Sequence, residues 1–267
     1  MALRIGIAGV SGRRGLALVE ATLAAPDLQL TAALDVASST MIGADAGRAL
    51  GAQTGVIVGA DIDAAVLACD VLIDFTRPEG TIAHAEACVR HRRKLCAGTT
   101  GLGASQKAAL ATLAQQTAIV FAPNMSAGVN VLVAMVEFAA ARLGPGFDIE
   151  ILEMHHRHKI DAPSGTALRL GEAAAKGAGV DLAAHAVYAR EGVTGERKAG
   201  TIGFATLRGG DVVGEHTVVF AGAGERIELT HRASSRATFA AGALRAARFV
   251  AGRSTGLYDM ADVLGLG

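Results

Sequence analysis

A Rossmann-type doubly wound parallel α/β sheet, joined to a second, α+β domain with a mixed sheet, is the architecture this sequence predicts. Three observations carry it. Over roughly the first 120 residues, short apolar runs alternate with helix-like segments, whereas after Asn124 several strand-like runs follow one another directly. The composition is 51% hydrophobic but only 4% aromatic, with 34 glycines and no tryptophan, so Ala, Val, Leu and Ile must build the core. That suits layered α/β packing, and 267 residues suffice for two domains of ordinary size.

The early runs are LRIGIAG (3–9), LQLTAAL (28–34), GVIV (55–58), VLIDFT (71–76), KLCAGTT (94–100) and AIVFAPN (118–124). They are continuously apolar rather than alternating, as strands covered on both faces are. Helix-like segments at 14–25, 79–92 and 104–116 separate most of them. Residues 108–136 carry no charge, but Gln115, Gln116, Pro123, Asn124, Ser126, Gly128 and Asn130 interrupt them. Those polar groups and backbone breaks are costly in hydrocarbon, so the stretch reads as helix end, buried strand, polar loop and helix start.

Val129, Leu132, Val133, Val136, Ala140 and Leu143 then recur at helical spacing until Gly144, Pro145 and Gly146 stop the helix. Strands are expected at 147–155, 203–208, 215–222 and 225–231, the last two alternating about a turn at Gly222, Ala223 and Gly224. A helix over 234–251 closes the pattern.

Lys plus Arg equals Asp plus Glu, at 25 each. This removes the broad electrostatic footprint of a nucleic-acid or anionic-membrane binder, so neither partner is expected. Cys69, Cys88 and Cys96 are odd in number and lack CxxC spacing, which suggests neither a disulfide framework nor a thiolate metal site and fits a reducing cytoplasm. The N-terminus runs from a few apolar residues straight into glycine turns, unlike a secretory signal.

GVSGRRG places Gly9, Gly12 and Gly15 between the first strand and the next helix. Glycines there let the backbone approach a pyrophosphate, whose charge the helix N-terminus meets with unpaired N–H groups. The spacing is GxxGxxG rather than GxGxxG, but the next strand ends at Asp35, where a carboxylate would accept from an adenosine ribose. Val36 follows, offering no cation to a 2′-phosphate and so favouring NADH, with Arg13 or Arg14 as a substitute cation for NADPH. Three further strand tips should border the same crevice: Phe75, Thr76 and Arg77; Gly98, Thr99 and Thr100; Ala122, Pro123, Asn124 and Met125.

Residues 153–167 read EMHHRHKIDAPSGTA. A strand ending near His155 would leave 156–162 as a loop, and Pro163, Ser164, Gly165 and Thr166 have the chemistry of a helix entrance. Such an entrance, with the Thr166 hydroxyl and Lys159 nearby, suits a carboxylate or phosphate, and histidine adds a proton carrier. The competing readings are a solvated loop and a zinc site from His155, His156 and His158, although the HExxH pair spacing is missing. Glu153 is either an ion-pair partner or catalytic.

With VLIDFTRPEG, AGTTG, FAPNMSAGVN, REGVTGERKAGTIGFATLRGGDVVGEHTVVF and HRASSRATFA, these motifs make the chain resemble the bacterial 4-hydroxy-tetrahydrodipicolinate reductase family nearly end to end. The HHRHKxDAPSGTA segment is the specific one. The resemblance implies a homotetramer, with residues 1–126 and 237–267 forming the dinucleotide-binding domain and 127–236 the substrate-binding and oligomerisation domain. It also implies NADH- or NADPH-dependent reduction of the hydroxylated dicarboxylate heterocycle, on the route to diaminopimelate and lysine, with no metal. By position, Gly9, Val10, Ser11, Gly12, Arg13, Arg14, Asp35, Gly98, Thr99, Thr100, Ala122, Pro123, Asn124 and Met125 would bind cofactor. His156, Gly165 and Thr166 would bind substrate, and His155 and Lys159 would form the catalytic pair. Arg14 stands where many members have methionine, and Val36 where some have an arginine serving NADPH. The rival classes are an aspartate or homoserine dehydrogenase with the same nucleotide domain, and an NADH-sensing regulator, for which no basic DNA-binding module is recognisable.

Overall fold

The computed structural model describes residues 1–235 and 237–266. They form two compact units, Met1–Ala127 with Arg236–Gly267, and Gly128–Ser235.

The first unit contains β1 (Leu3–Ala8), α1 (Arg13–Leu23), β2 (Leu28–Leu34), β3 (Val58–Gly59), α2 (Ile62–Ala68), β4 (Val71–Asp74), α3 (Pro78–Arg90), β5 (Lys94–Ala97), α4 (Ala104–Leu113) and β6 (Ala118–Phe121). After α5 (Ala127–Leu143), the second holds β7 (Asp148–His155), α6 (Gly165–Ala178), α7 (Leu182–His185), β8 (Ala186–Val187), β9 (Ile202–Arg208), β10 (Gly214–Gly222) and β11 (Glu225–Ala233). The chain then returns to the first unit for α8 (Ala237–Ala251), β12 (Gly256–Tyr258) and α9 (Met260–Leu264).

Seven parallel strands lie in the order β12-β6-β5-β4-β1-β2-β3. Their apolar runs are continuous because both faces are covered. Ile5 and Ile7 pack with Leu18 and Val19 of α1 and with Ala243, Leu244 and Ala247 of α8. On the other face, Ala8, Leu72 and Leu95 meet Val66, Cys88 and Leu110 of α2, α3 and α4. The order reverses between β1 and β4, which opens a crevice at their carboxyl ends.

Two expectations are corrected. The run at 55–58 contributes only Val58 to a strand, because the Asp45 carboxylate gathers the amides of Gly47, Thr54 and Gly55 and shapes the preceding residues into a loop. The helix expected from Ser234 begins at Ala237, and the three-residue β12 and five-residue α9 beyond it were too short to leave a periodic signal.

The second sheet is mixed, in the order β11-β10-β7-β9-β8. β10 runs antiparallel to β7 and β11, whereas β9 is parallel to β7 because the crossover through α6 separates them. Helices α5 and α6 cover one face, where Leu132, Val136, Ala140 and Leu170 meet Ile149, Ile151, Val218 and Phe220. Alternation along β7 turns Ile149, Ile151, Glu153 and His155 to that covered face. Leu152, Leu207 and Ile227 are exposed on the sheet. The stretch Ala127–Gly146 is long and apolar enough to cross a membrane by length and composition, but part of α5 is committed to this core.

Candidate active site

In the first unit, the crevice is built by the loop after β1. Gly9 adopts a left-handed conformation (φ 79°), and Gly12 caps α1 without a side-chain hydrogen bond. No capping side chain stands at this end of α1, the kind of helix N-terminus that receives anions. A Cβ at Gly15 would lie 2.1 Å from the Gly9 carbonyl oxygen, so only glycine lets the helix approach the loop this closely. Asp35, at the tip of β2, accepts from the amides of Ser11 and Val36, both at 2.8 Å. Each of its oxygens keeps lone-pair capacity for a ribose hydroxyl. These residues fit a dinucleotide.

The other predicted cofactor residues divide. Ser11, Gly12, Arg13, Arg14, Thr100 and Pro123 are exposed, with the Arg14 guanidinium 5.7 Å from the Phe75 ring centre. Gly98 is required by packing, since a Cβ would meet the Phe75 ring at 2.1 Å. Thr99 is buried and its hydroxyl accepts from Thr81 at 2.7 Å. Val10, Ala122 and Met125 are core residues, and the half-buried Asn124 accepts from the Ser126 amide.

In the second unit, β7 delivers His155, buried, beside the start of α6. His155 Nδ1 lies 2.5 Å from Glu153 Oε2, and the Ser164 amide donates to Glu153 Oε1 at 3.0 Å. Arg208 donates to both oxygens of the same carboxylate, at 2.9 and 3.0 Å. Burial would push the Glu153 carboxyl up, but Arg208 and His155 outweigh it and hold the group below its ordinary range, as an anion. Burial lowers His155, and the Glu153 anion opposes this only in part, with Lys159 and Arg208 adding to the depression.

Ser164 caps α6 through its hydroxyl, which accepts from the Ala167 amide at 3.1 Å. That capping leaves Gly165 and Thr166 in the first turn at the predicted entrance. His156 donates its amide to the Val212 carbonyl at 2.7 Å, and its buried Nδ1 finds no hydrogen-bond partner among the described residues. Lys159 Nζ sits 2.7 and 2.8 Å from the two Asp161 oxygens. Among the described residues no cluster of three or more His, Cys, Asp or Glu is arranged to hold a metal ion.

Two residues that the sequence reading left as ordinary or unremarked join this site. His216 of β10 pairs across the sheet with Glu153, and its ring centre is 5.1 Å from that of His155. Burial, then the neighbouring His155, push His216 down to about 4. The available signal was its place in the inward series His216, Val218, Phe220, where an apolar residue belongs. Arg208 ends β9 directly opposite His155.

Models of the N-terminal and C-terminal parts of dihydrodipicolinate reductase match residues 3–125 and 128–264. The 4-hydroxy-tetrahydrodipicolinate reductase of Burkholderia multivorans is 60% identical over 264 residues, covering 99% of this chain and all of its own. That of Thiobacillus denitrificans is 59% identical over 266 residues, covering both chains fully. A dipicolinate-bound dihydrodipicolinate reductase from Paenisporosarcina sp. TG-14 has the same fold, with a TM-score of 0.77 at 23% identity over 97% of this chain and 98% of its own. Matched in both halves and nearly 60% identical end to end to full-length relatives, the chain belongs to the dihydrodipicolinate reductase family.

Proposed function

We propose that this chain reduces 4-hydroxy-tetrahydrodipicolinate to tetrahydrodipicolinate with loss of water, a step toward diaminopimelate and lysine. The observation that carries the reading is the Glu153 carboxylate, which receives His155 Nδ1 and the Ser164 amide together. A proton-carrying imidazole and a helix entrance suited to an anion thus share one anchor. The first unit is the nucleotide-binding domain, and the second binds the dicarboxylate substrate.

A bound reduced nicotinamide nucleotide supplies the hydride. Gly9, Gly12 and the first amides of α1 receive its pyrophosphate, and Asp35 receives a ribose. NADH is the nucleotide that Val36 favours, while Arg13 and Arg14 are the cations open to NADPH. Gly165 and Thr166 hold one substrate carboxylate, with His156 beside them. Lys159 exchanges Asp161 for the substrate and offsets the negative charge that reduction of the conjugated imine leaves there. His155 delivers the proton at Nε2, since Nδ1 is engaged by Glu153. In the free site, burial and nearby cations depress its proton affinity; two substrate carboxylates reverse that influence, so the proton is held when it is needed.

A homotetramer is the assembly we infer, and Leu152, Leu207 and Ile227, exposed on the second sheet, support an interface there. The three cysteines are free and buried, in keeping with a cytoplasmic protein. The test is loss of NADH or NADPH absorbance with enzymatically generated substrate, with and without a chelator. Oxidation of either nucleotide that needs the substrate and survives the chelator is expected. No oxidation, or activity only with an aspartate- or homoserine-type substrate, overturns the reading.

A further inference from the structure

We propose that Glu153 is a positioning residue for the reaction: it fixes the tautomer and orientation of His155 so that Nε2 alone faces substrate, and it locks the proton donor to the anion-accepting entrance of α6. The inference rests on the reading of His155 given above.

Its basis is the saturation of one carboxylate. Glu153 Oε2 receives His155 Nδ1 and Arg208 Nη1, and Oε1 receives the Ser164 amide and Arg208 Nη2. Four contacts fill the capacity of a carboxylate, so the group has no freedom to rotate. The side chain is 1% exposed, which excludes solvent as a competing partner. Arg208 continues the chain, donating to the Asp161 carbonyl at 2.6 Å, and the Asp161 carboxylate holds Lys159. One anion therefore sets the acid, the helix entrance and the basic loop.

A buried ion pair is weak evidence of a purely stabilising role, because apolar residues of similar volume commonly do as well. The orientation is more telling. An anion at Nδ1 requires the proton there, leaving Nε2 as the exchanging atom. Gly214 lies on that side: a Cβ there would sit 3.0 Å from His155 Nε2, so glycine leaves the approach open. The groups facing the ring are Glu153 on β7, Arg208 on β9, His216 on β10 and Lys159 on the loop, the last paired with Asp161. Among the described residues, Glu153 is the one anion in direct contact.

The test is Glu153→Gln beside His155→Gln. Glutamine keeps the volume and an acceptor for Ser164, but removes the charge and can present an N–H to Nδ1, which stabilises the wrong tautomer. By the precedent of a carboxylate-oriented histidine, kcat falls on the order of 100-fold or more, while NADH binding is unchanged. The alkaline limb of kcat/KM, on which the protonated His155 is lost, also moves to lower pH, because burial, Arg208 and Lys159 remain without their counterweight. A merely structural residue would lower melting temperature and active fraction without moving that limb, and this outcome overturns the proposal, as does unchanged turnover. ¹⁵N-histidine NMR of the unmutated enzyme decides the matter even where Glu153→Gln fails to fold: neutral His155 protonated on Nδ1 is expected, and protonation on Nε2 overturns it. Full turnover in His155→Gln defeats the underlying reading instead, so the two failures are distinguishable.

Discussion

His216 Nε2 lies 3.1 Å from Ser164 Oγ, the hydroxyl that also caps α6. Burial keeps this histidine neutral, down to about 4 against an ordinary 6.5. Its protonation is thereby coupled to folding. As pH falls from 6.5 toward 4, the unfolded chain takes up a proton that the folded chain refuses, so stability drops with falling pH. The loss is at most about 3 kcal/mol between pH 7 and pH 4, and His155 adds in the same direction. Denaturant titrations across this window should show that slope, and His216→Gln should flatten it. An equal slope in the variant would mean that His216 titrates as it does in open chain.

His155→Gln should lower kcat by about 100-fold to 10,000-fold, the ordinary worth of a positioned general acid. NADH affinity should remain near normal, because the proposed nucleotide residues lie in the first unit and His155 in the second. Steady-state rates and a fluorescence titration of NADH measure the two separately. Parallel collapse of both would make His155 a structural residue.

Asp161→Asn should improve substrate affinity. In the structure Asp161 engages Lys159 with both oxygens, yet its side chain is 57% exposed, so the pair is easily exchanged. Removing the competing anion frees the ammonium for the incoming carboxylate. An exposed pair of this kind is worth about 0.2–1 kcal/mol, which corresponds to KM lower by roughly 1.5-fold to 5-fold at nearly constant kcat. Lys159→Met should do the opposite, raising KM and depressing kcat. A higher KM in Asp161→Asn would instead make Asp161 a holder of the loop.

Most of the nucleotide fold was legible in the sequence because its signals are local. Continuous apolar runs mark strands covered on both faces, and Gly9, Gly12 and Gly15 punctuate the first turn. Asp35 was legible as the end of the next strand. The histidine site was legible in its loop and helix entrance and obscure in its supports. Glu153 meets Arg208 from 55 positions away, and His216 reaches Ser164 from 52. No spacing rule connects such residues; β-sheet register does. Thr99 shows the converse limit. Its place at a strand tip puts it at the border of the crevice, while its hydroxyl turns inward to Thr81. Loop position identifies which residues border a crevice, not which way each side chain points.

Val36 should control the choice of nucleotide. Its amide donates to Asp35 Oδ1 at 2.8 Å, which fixes the backbone at the tip of β2, while the residue as a whole is 66% exposed. Ser11 donates to the other Asp35 oxygen, so residue 36 projects beside the glycine turn that would receive the pyrophosphate. A cation there would meet a ribose 2′-phosphate through charge-assisted hydrogen bonds. Val36→Arg should therefore raise the NADPH-to-NADH ratio of kcat/KM on the order of fivefold, the scale of an exposed charge pair. Added salt should erode the gain, because an exposed pair is screened. An unchanged ratio at low salt would place recognition of the phosphate with Arg13 or Arg14, and the double variant with Arg14→Met would then lose NADPH use selectively.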